Sequence, residues 1–199
     1  MYYDNLDIND QQRAIEEERN SRYLEDYYLD DRIDYCKDIL ESIGFSNIDI
    51  RYSGFGSQGD GLSFTGQYSN AKRITKVVKE LTNCPDILTL TRRLMELQQS
   101  KRYRLIGEIT AHNRWGNHVH ENTIDIATSL EDWGNIDYVT YDFEWQENEE
   151  FTEIVKGLCQ TFYSMLNDEY NYYVSDEGII EYFRDCEIEF ERSERMVRV

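Results

Sequence analysis

The fold is decided by a stretch of 22 residues, residues 47–68, which reads NIDIRYSGFGSQGDGLSFTGQY. Apolar and polar residues alternate at both of its ends, over residues 47–53 and again over residues 62–68, and a period of two is typical of β-strands. Between these ends lie four glycines within residues 54–61, which favour a loop because glycine turns the backbone at little steric cost. The stretch therefore predicts a β-hairpin with a long glycine-rich loop.

Helical patterns lie on both sides of this hairpin, and further strand-like runs follow it. Gly44 closes the first helical pattern, at the left-handed position that glycine favours, and Pro85 stands where a helix begins. Short loops between strands, with helices grouped between them, predict an α+β fold whose antiparallel sheet of about five or six strands packs against several helices. The predicted helices are 10–43, 70–82, 86–100, 147–170 and 175–184, and the further strands are 102–110, 123–130, 137–144 and 187–192.

The composition indicates one compact domain without linkers. The 199 residues contain a single proline and no Pro-rich or Gly/Ser-rich tract, and this length suffices to bury one core. We therefore expect a single domain over residues 1–199. The apolar stripe is weak around Glu16–Glu18, so residues 1–25 can form an exposed acidic helical extension.

The cysteines and the first residues predict a reducing compartment. The four cysteines lie far apart without a C-x-x-C pair, and the chain does not open with a basic segment followed by an apolar one. No run of about 18 apolar residues predicts a membrane span. We expect a cytoplasmic protein with no membrane partner and with reduced thiols, at Cys36, Cys84, Cys159 and Cys186. Cys36 and Cys159 fall on apolar helical stripes, which are typical of inert core thiols.

The charge of −19 is unevenly distributed along the chain. Residues 70–104 have a local charge of +6, whereas residues 121–191 have −18 and the first 60 residues have −9. A field of this sign repels nucleic acid and anionic membranes and attracts basic surfaces. We therefore expect no direct binding of nucleic acid. The basic stretch is expected to pair with the chain's own carboxylates, within the fold or across a homodimer interface.

The glycine-rich loop is the first candidate site. Its glycines allow a tight bend that turns backbone N–H groups toward a ligand, and the residues concerned are Ser57, Gln58, Gly59, Asp60 and Gly61. The loop lacks the Gly-Lys-Ser/Thr ending of a phosphate-binding P-loop and the spacing of a serine hydrolase elbow. The alternative is a purely structural hairpin turn, in which Asp60-Gly61 supplies the positive-φ residue.

The three histidines form the second candidate site, because all of them lie within nine residues. His118 and His120 would face the same side of a strand. They could share a divalent metal with Asp60, His112 or Glu121, or one of them could act as a general base near neutral pH. The alternative is a polar loop whose histidines form local hydrogen bonds, with no cofactor.

The acidic surface is the third candidate site. Carboxylates that follow one another on a rigid surface can compete with DNA for a cationic groove, because proteins bind DNA largely through Lys and Arg. The alternative is a solvated surface that only keeps the protein in solution. The candidate partner-binding carboxylates are Glu147, Glu149, Glu150, Glu153, Asp168, Glu169, Glu181, Asp185, Glu187, Glu189 and Glu191, with Glu16–Glu18, Glu25, Asp26 and Asp30 as additions.

Residues 52–64 resemble a signature found in a family of small, mostly uncharacterised proteins of tailed bacteriophages. That family joins a Ser-Gly-Phe-x-Ser-Gln-Gly-Asp-Gly loop to a downstream His-x-His-like segment, which here would be residues 112–126. Residues 170–181 also look similar. The resemblance covers about residues 30–190 and implies a phage origin and expression in the bacterial cytoplasm. It implies no particular activity, although phage proteins are often associated with host takeover or counter-defence.

Two interpretations of function follow. In the first, the protein is a non-enzymatic phage accessory protein, an acidic and DNA-mimicking inhibitor of a basic host protein that binds nucleic acid or acts in defence. In the second, it is a small metal-dependent hydrolase or ligand-binding protein that uses Asp60, His112, His118 and His120. Salt and DNA competition would support the first interpretation, whereas a stoichiometric metal would support the second.

Overall fold

The computed structural model describes residues 1–22, 27–69, 74–112, 119–131 and 148–190. Within these ranges the chain forms six α-helices and four β-strands, with short 3-10 helices at Tyr3–Asn5 and Tyr27–Leu29. None of the helices in these ranges is both long and apolar enough to cross a membrane. The helices are α1 (Ile8–Arg22), α2 (Asp30–Ser42), α3 (Ile74–Leu81), α4 (Pro85–Ser100), α5 (Glu149–Tyr173) and α6 (Asp176–Asp185), and the strands are β1 (Phe45–Tyr52), β2 (Leu62–Tyr68), β3 (Leu105–Ala111) and β4 (Ile124–Leu130).

The four strands form one antiparallel sheet in the order β1-β2-β3-β4. Ile50 pairs with Phe64 across β1 and β2, and Gly66 pairs with Ile109 across β2 and β3. The α+β class, the antiparallel sheet and the predicted hairpin are therefore confirmed. β1 and β2 are joined by a single loop, which is why the local pattern predicted their pairing, whereas α3 and α4 lie between β2 and β3.

The predicted count of five or six strands exceeds the four strands that the described residues form. The predicted strand 137–144 lies outside the described residues. Within the predicted closing strand 187–192, the described part forms only an isolated bridge between Tyr2 and Glu189. Glu187 adopts a left-handed conformation with φ of 49°, and this conformation interrupts an extended strand.

The helix predicted over residues 10–43 is divided in the structure. α1 is described as far as Arg22, and Tyr27–Leu29 form a short 3-10 helix directly before α2, so the described residues do not form one continuous α-helix. The ring of Tyr28 stacks on the ring of Tyr173 with centroids 4.0 Å apart, and Leu29 is fully buried. These tertiary contacts outweigh the local helical preference of the sequence.

The chain divides into two compact units. Unit 1 comprises Met1–Asp31 and Leu166–Val199, and unit 2 comprises Arg32–Met165. The single domain over residues 1–199 stays a prediction. Each unit has a core of its own, and each is treated separately below.

The core of unit 2 lies between the sheet and its helices. Phe151 of α5 is fully buried, and its ring lies 5.2 Å from that of Tyr68 and 6.3 Å from that of Phe45. Gly107 makes room for this ring, because a Cβ at Gly107 would lie 2.7 Å from it. Burial raises the pKa of Tyr68 to about 12, and its hydroxyl accepts a hydrogen bond of 3.1 Å from Gln98 of α4.

The core of unit 1 is smaller and is formed by α1, α6 and the residues before and after them. The buried cluster consists of Tyr3, Leu6, Ala14, Ile15, Ile179, Phe183 and Phe190. The Ser175 hydroxyl caps α6 by accepting a hydrogen bond of 3.0 Å from the N–H of Gly178. The sequence predicted the start of this helix at residue 175 but not the capping bond. Within residues 1–25, the region predicted as an exposed helical extension, α1 is helical and buries Ala14 and Ile15.

Candidate functional site

The glycine-rich loop and the histidine loop meet in unit 2. A Cβ at Gly61 would lie 2.5 Å from Cβ of His120. The two backbones therefore lie so close together that only glycine fits at position 61. The Ser53 hydroxyl donates a hydrogen bond of 3.0 Å to the carbonyl of Val119. The sequence could not establish this meeting, because it depends on β3 lying beside β2 and on the path of the loop between β3 and β4.

The glycine-rich loop is closed by its own groups. The carboxylate of Asp60 accepts a hydrogen bond of 2.6 Å from the N–H of Ser57, and the N–H of Asp60 donates one of 3.1 Å to the carbonyl of Ser57. Gly54, Gly56 and Gly59 adopt positive φ angles. The prediction that Asp60-Gly61 supplies the positive-φ residue is wrong, because neither of these two residues has a positive φ. Gln58 and Gly59 are exposed at the tip of the loop.

Aromatic contacts attach this loop to α5. Phe55 stacks between Tyr52 and Tyr163, with centroid distances of 5.6 and 5.7 Å, and the Tyr163 hydroxyl donates a hydrogen bond of 3.2 Å to the carbonyl of Gly54. Partial burial raises the pKa of Tyr163, and the negative charge of Asp60 raises it further. The loop is therefore held in one conformation.

The histidine loop is also satisfied locally in its described part. Nδ1 of His120 accepts a hydrogen bond of 3.2 Å from the N–H of Asn122, which leaves the proton of a neutral ring on Nε2. His112 and Asp125 form a pair with Nδ1 2.9 Å from Oδ1, and their side chains are 58% and 64% exposed. His118 lies outside the described residues. Catalytic or metal-binding roles for Asp60, His112, His118 and His120 stay predictions, and no group of three or more metal-ligating side chains occurs in the described part of the chain.

Polar residues on one side of α5 support both loops. Lys156 donates a hydrogen bond of 2.8 Å to Asn122, and Gln160 donates one of 3.1 Å to Glu121. With Tyr163 they recur at intervals of four and three, so they share one side of the helix. Our sequence reasoning missed these three residues, although their spacing opposite an apolar stripe was a usable signal.

The predicted partner-binding carboxylates belong to both units. In unit 2, Arg93 of α4 lies 2.7 Å from Glu153 and 3.9 Å from Glu150, and both carboxylates are in the first turns of α5. Glu149 lies beside them, whereas Glu147 and Glu191 lie outside the described residues. In unit 1, Asp168 and Glu169 belong to α5, Glu181 and Asp185 to α6, and Glu187 and Glu189 to the segment after α6.

Unit 1 has a large excess of negative charge. It contains 20 acidic and 7 basic side chains, a net charge of −13 on 65 residues. Its described part contains sixteen carboxylates and only four arginines. Each of these arginines is committed to a carboxylate of the same unit, in the pairs Arg13–Asp10, Arg19–Asp176, Arg22–Glu18 and Arg184–Asp4.

Two of these arginines, Arg19 and Arg22, also donate hydrogen bonds to backbone carbonyls within unit 1. The side chain of Arg22 is only 4% exposed and lies between the rings of Tyr173 and Tyr182, 4.3 and 4.7 Å from their centroids. It donates a hydrogen bond to the carbonyl of Tyr173, and Arg19 donates one of 2.8 Å to that of Val174. Cations at the end of a helix stabilise its dipole, and α5 has no basic residue in its own last turn.

Two open grooves flank Arg184 on the surface of unit 1. The first, of about 600 Å³, is lined by Tyr172, Glu177, Ile180, Glu181, Arg184 and Asp185. The second, of about 520 Å³, is lined by Tyr2, Tyr3, Asp4, Asn5, Phe183, Arg184 and Glu187. The Tyr172 hydroxyl donates a hydrogen bond to Glu181. This bond is the largest cause of the raised pKa of Tyr172, and the negative charges of Glu177 and Asp185 raise this pKa further.

Three helices end in the same left-handed cap, but on different residues. At the end of α2 the position is held by Gly44, with φ of 106° and its N–H donating to Glu41. At the ends of α4 and α6 it is held by Arg102 and Glu187, with φ of 55° and 49°. At the ends of α4 and α6 the following residue closes the cap, since the N–H groups of Tyr103 and Ile188 donate to the carbonyls of Gln98 and Phe183 at 2.7 and 3.0 Å.

Arg102 and Tyr103 are two consecutive non-glycine residues in the left-handed region, with φ of 55° and 59°. This conformation costs about 1–2 kcal/mol for each residue with a Cβ. Of the cations in the basic stretch whose side chains are described, only Arg93 forms ion pairs within the described part of the chain. Lys101, Arg102 and Arg104 therefore form an uncompensated basic turn after α4.

No curated protein and no solved structure matches the chain. A family model does match it, over residues 28–176, and its description is "Domain of unknown function (DUF8835)". The match includes the two loops of unit 2 and the basic turn after α4, and it ends before Glu177 of α6. Because this match covers more than half of the 199 residues, the chain belongs to the DUF8835 family.

Proposed function

We propose that the protein is a phage accessory protein that binds a basic host protein through the acidic surface of unit 1, in the bacterial cytoplasm. The host protein binds nucleic acid or acts in defence, and the acidic surface occupies the cationic site that nucleic acid would use. One observation carries this proposal: each described arginine of unit 1 pairs with a carboxylate of the same unit, and the sixteen described carboxylates of the unit outnumber these four arginines.

The acidic surface of unit 1 includes a row of carboxylates along one side of α6. Glu177, Glu181 and Asp185 follow one another at intervals of four, so they lie on one side of the helix about 6 Å apart along its axis. Like charges at this spacing destabilise a helix by about 0.2–0.5 kcal/mol per pair. Asp185 also lies in the last turn, where the helix dipole disfavours an anion.

The arginine within this row does not neutralise it. Arg184 forms hydrogen bonds of 2.7 to 3.2 Å to both oxygens of Asp4, and these bonds lower the pKa of Asp4. No cation in the described part of the chain forms an ion pair with Glu177, Glu181 or Asp185. A helix that keeps such a row despite its energetic cost is well suited to a basic partner.

A capture experiment in bacterial lysate tests the proposal. The tagged protein should retain a basic protein at low salt and release it in about 1 M salt, where the Debye length falls to about 3 Å. Duplex DNA should displace the same protein. The triple variant E177K/E181K/D185K should lose the capture.

The matched control is D34K/D38K/E41K, which reverses three exposed carboxylates of α2 and makes the same change in net charge. It should capture the partner as the unaltered protein does. If both triple variants lose the capture, net charge rather than this surface explains the binding, and if both retain it, the carboxylates of α6 do not bind the partner. If the complex resists both salt and DNA, competition with nucleic acid is wrong.

As a second candidate we propose a small metal-dependent hydrolase or ligand-binding protein, and one observation favours it: the two loops of unit 2 meet at Gly61 and His120. Metal analysis of the purified protein tests this candidate. Stoichiometric zinc or manganese that is lost in His120→Ala with folding intact would favour it. A protein without metal before and after incubation with these ions would exclude the metal-dependent form.

A further inference from the structure

The basic turn after α4 has a conformation that its own residues disfavour. We define the basic turn as Lys101–Arg104. Arg102 occupies the cap position that Gly44 fills at the end of α2, and Tyr103 follows it in the same left-handed region. Helices usually place glycine at this position. Strained backbone persists only where the surrounding structure imposes it, and it is frequent at binding sites, so the basic turn is a candidate binding surface.

The backbone of the basic turn is firmly held. The N–H of Tyr103 donates a hydrogen bond of 2.7 Å to Gln98, and the carbonyl of Arg104 accepts one of 2.7 Å from Glu131. Gln98 in turn binds both the N–H and the carbonyl of Leu105, at 3.3 and 2.8 Å. The turn therefore presents its cations and the 42% exposed ring of Tyr103 on a rigid support.

Unit 1 contains the counterpart of this turn. Glu187 holds the same cap position at the end of α6, again where glycine would be less strained, and it lines the groove beside Arg184 and Asp4. The exposed rings of Tyr2 and Tyr172 lie along the two grooves. Tyrosines next to carboxylates suit arginine, whose guanidinium can stack on a ring and pair with an acid.

We infer that the protein self-associates, with the basic turn of one copy bound to the carboxylates around Glu187 in unit 1 of a second copy. Charge complementarity selects this occupant: the basic turn has three cations without a carboxylate partner among the described residues, and unit 1 has a net charge of −13. A nucleic acid would bind the basic turn alone, whereas a second copy also brings a basic turn that can bind unit 1, so only the second copy complements both surfaces.

Sedimentation equilibrium at two salt concentrations tests this inference. At about 0.1 M salt, where the Debye length of about 10 Å screens the repulsion between the net charges more than it screens close charge pairs, the average mass should rise with protein concentration. At about 1 M salt the protein should be monomeric. Arg102→Gly and Glu187→Gly should each weaken the association about tenfold, corresponding to the loss of one well-placed charge pair.

Glycine is the appropriate substitution because it suits the cap conformation, so neither variant should unfold at a lower temperature. Arg92→Glu is the control, because Arg92 is an exposed cation on α4 outside the turn. It should associate as the unaltered protein does. Equal weakening by Arg92→Glu and Arg102→Gly would overturn the inference.

A charge exchange identifies the two surfaces directly. R102E and E187R should each fail to self-associate, and their mixture should associate with a mass that depends on both concentrations. A mixture that stays monomeric overturns the inference, as does an unaltered protein that is monomeric at the lower salt concentration. A monomer that shifts duplex DNA in a gel, with the shift lost in Arg102→Gly, would assign the turn to nucleic acid instead.

This inference uses the surface of the proposed function but not its host partner, so the two can fail separately. If a strictly monomeric chain captures a basic protein, only the inference of self-association is contradicted. If the chain self-associates through the basic turn but binds no partner that DNA displaces, only the proposed function is contradicted.

Discussion

The two units carry the same number of carboxylates on very different lengths of chain. Unit 1 has 20 acidic side chains on 65 residues, and unit 2 has 20 on 134. Basic side chains number 7 and 14, which leaves net charges of −13 and −6. In unit 2 the polar groups of the loops bind one another, whereas in unit 1 the carboxylates greatly outnumber the arginines. This difference is the basis on which we propose unit 1 as the binding surface and unit 2 as its scaffold.

The largest difference between the two units should be in the alkylation rates of their cysteine thiols. Burial raises the pKa values of Cys36 and Cys159 in unit 2 to about 12, whereas Cys186 in unit 1 is exposed. We expect alkylation of the native protein at pH 8 to label Cys186 at least about 1,000-fold faster than these two thiols. Peptide mass spectrometry after timed quenching measures the rates, and labelling of an unfolded sample is the control. Comparable native rates at the three sites would contradict the buried core.

The raised pKa values also predict the direction of a pH effect. A group whose folded pKa is raised contributes stability below its ordinary pKa, and this contribution is lost as pH rises toward the folded value. The free energy of unfolding should therefore fall between the ordinary thiol range and about pH 12. Cys36→Ala should reduce this fall. If the free energy of unfolding falls equally at high pH in the variant, the Cys36 thiol does not contribute to this fall.

The apolar core of unit 2 should be sensitive to truncation. Phe151→Ala removes a fully buried ring and should lower the free energy of unfolding by about 3–5 kcal/mol. Urea denaturation followed by tryptophan fluorescence measures the change. Leu130→Ala, at a side chain that is 42% exposed, is the control and should cost well under half as much. A cost below about 1 kcal/mol for Phe151→Ala would mean that the sheet and α5 do not share a core.

In unit 1 a buried arginine should matter nearly as much as an aromatic ring does in unit 2. Arg22→Met removes the buried cation that pairs with Glu18, whose side chain is 10% exposed, and it should cost about 3 kcal/mol. Arg13→Met breaks the exposed pair with Asp10 and should cost less than about 1 kcal/mol. The same denaturation curves measure both. Equal costs would show that Arg22 acts as an ordinary surface cation.

The smallest effects should come from the helix caps. Arg102→Gly in unit 2 and Glu187→Gly in unit 1 relieve the left-handed strain and should raise the free energy of unfolding by up to about 1 kcal/mol. Gly44→Ala places a Cβ in the same conformation and should lower it by about 1 kcal/mol. Thermal melts of the three variants measure these differences. Destabilisation by Arg102→Gly would mean that the arginine serves the fold.

The sequence predicted the elements whose signals are local. Alternation over residues 47–53 and 62–68 predicted the hairpin, and Pro85 and Ser175 marked the helix starts that the structure confirms. These features depend on a few neighbouring residues, because a fixed φ or a capping hydroxyl acts within one turn.

The features that the sequence did not reveal depend on contacts distant along the chain. Arg102 gave no sign of a left-handed cap, because a glycine is the usual signal at that position. The meeting of Gly61 with His120 required the order of the strands. The division of the helix predicted over residues 10–43 required Tyr173, which stacks on Tyr28 from a distant part of the chain. Charge counts located the acidity in the sequence, but only the ion pairs showed which arginines compensate it.

The salt dependence of partner binding tests the central claim most directly. With the captured host protein in hand, its dissociation constant is measured by titration over a series of salt concentrations, for the unaltered protein and for E177K/E181K/D185K. We predict that affinity falls steeply with salt for the unaltered protein, that duplex DNA competes, and that the triple variant shows weak binding. Affinity that is independent of salt and equal in the two proteins would contradict the assignment of unit 1 as a charge-complementary binding surface.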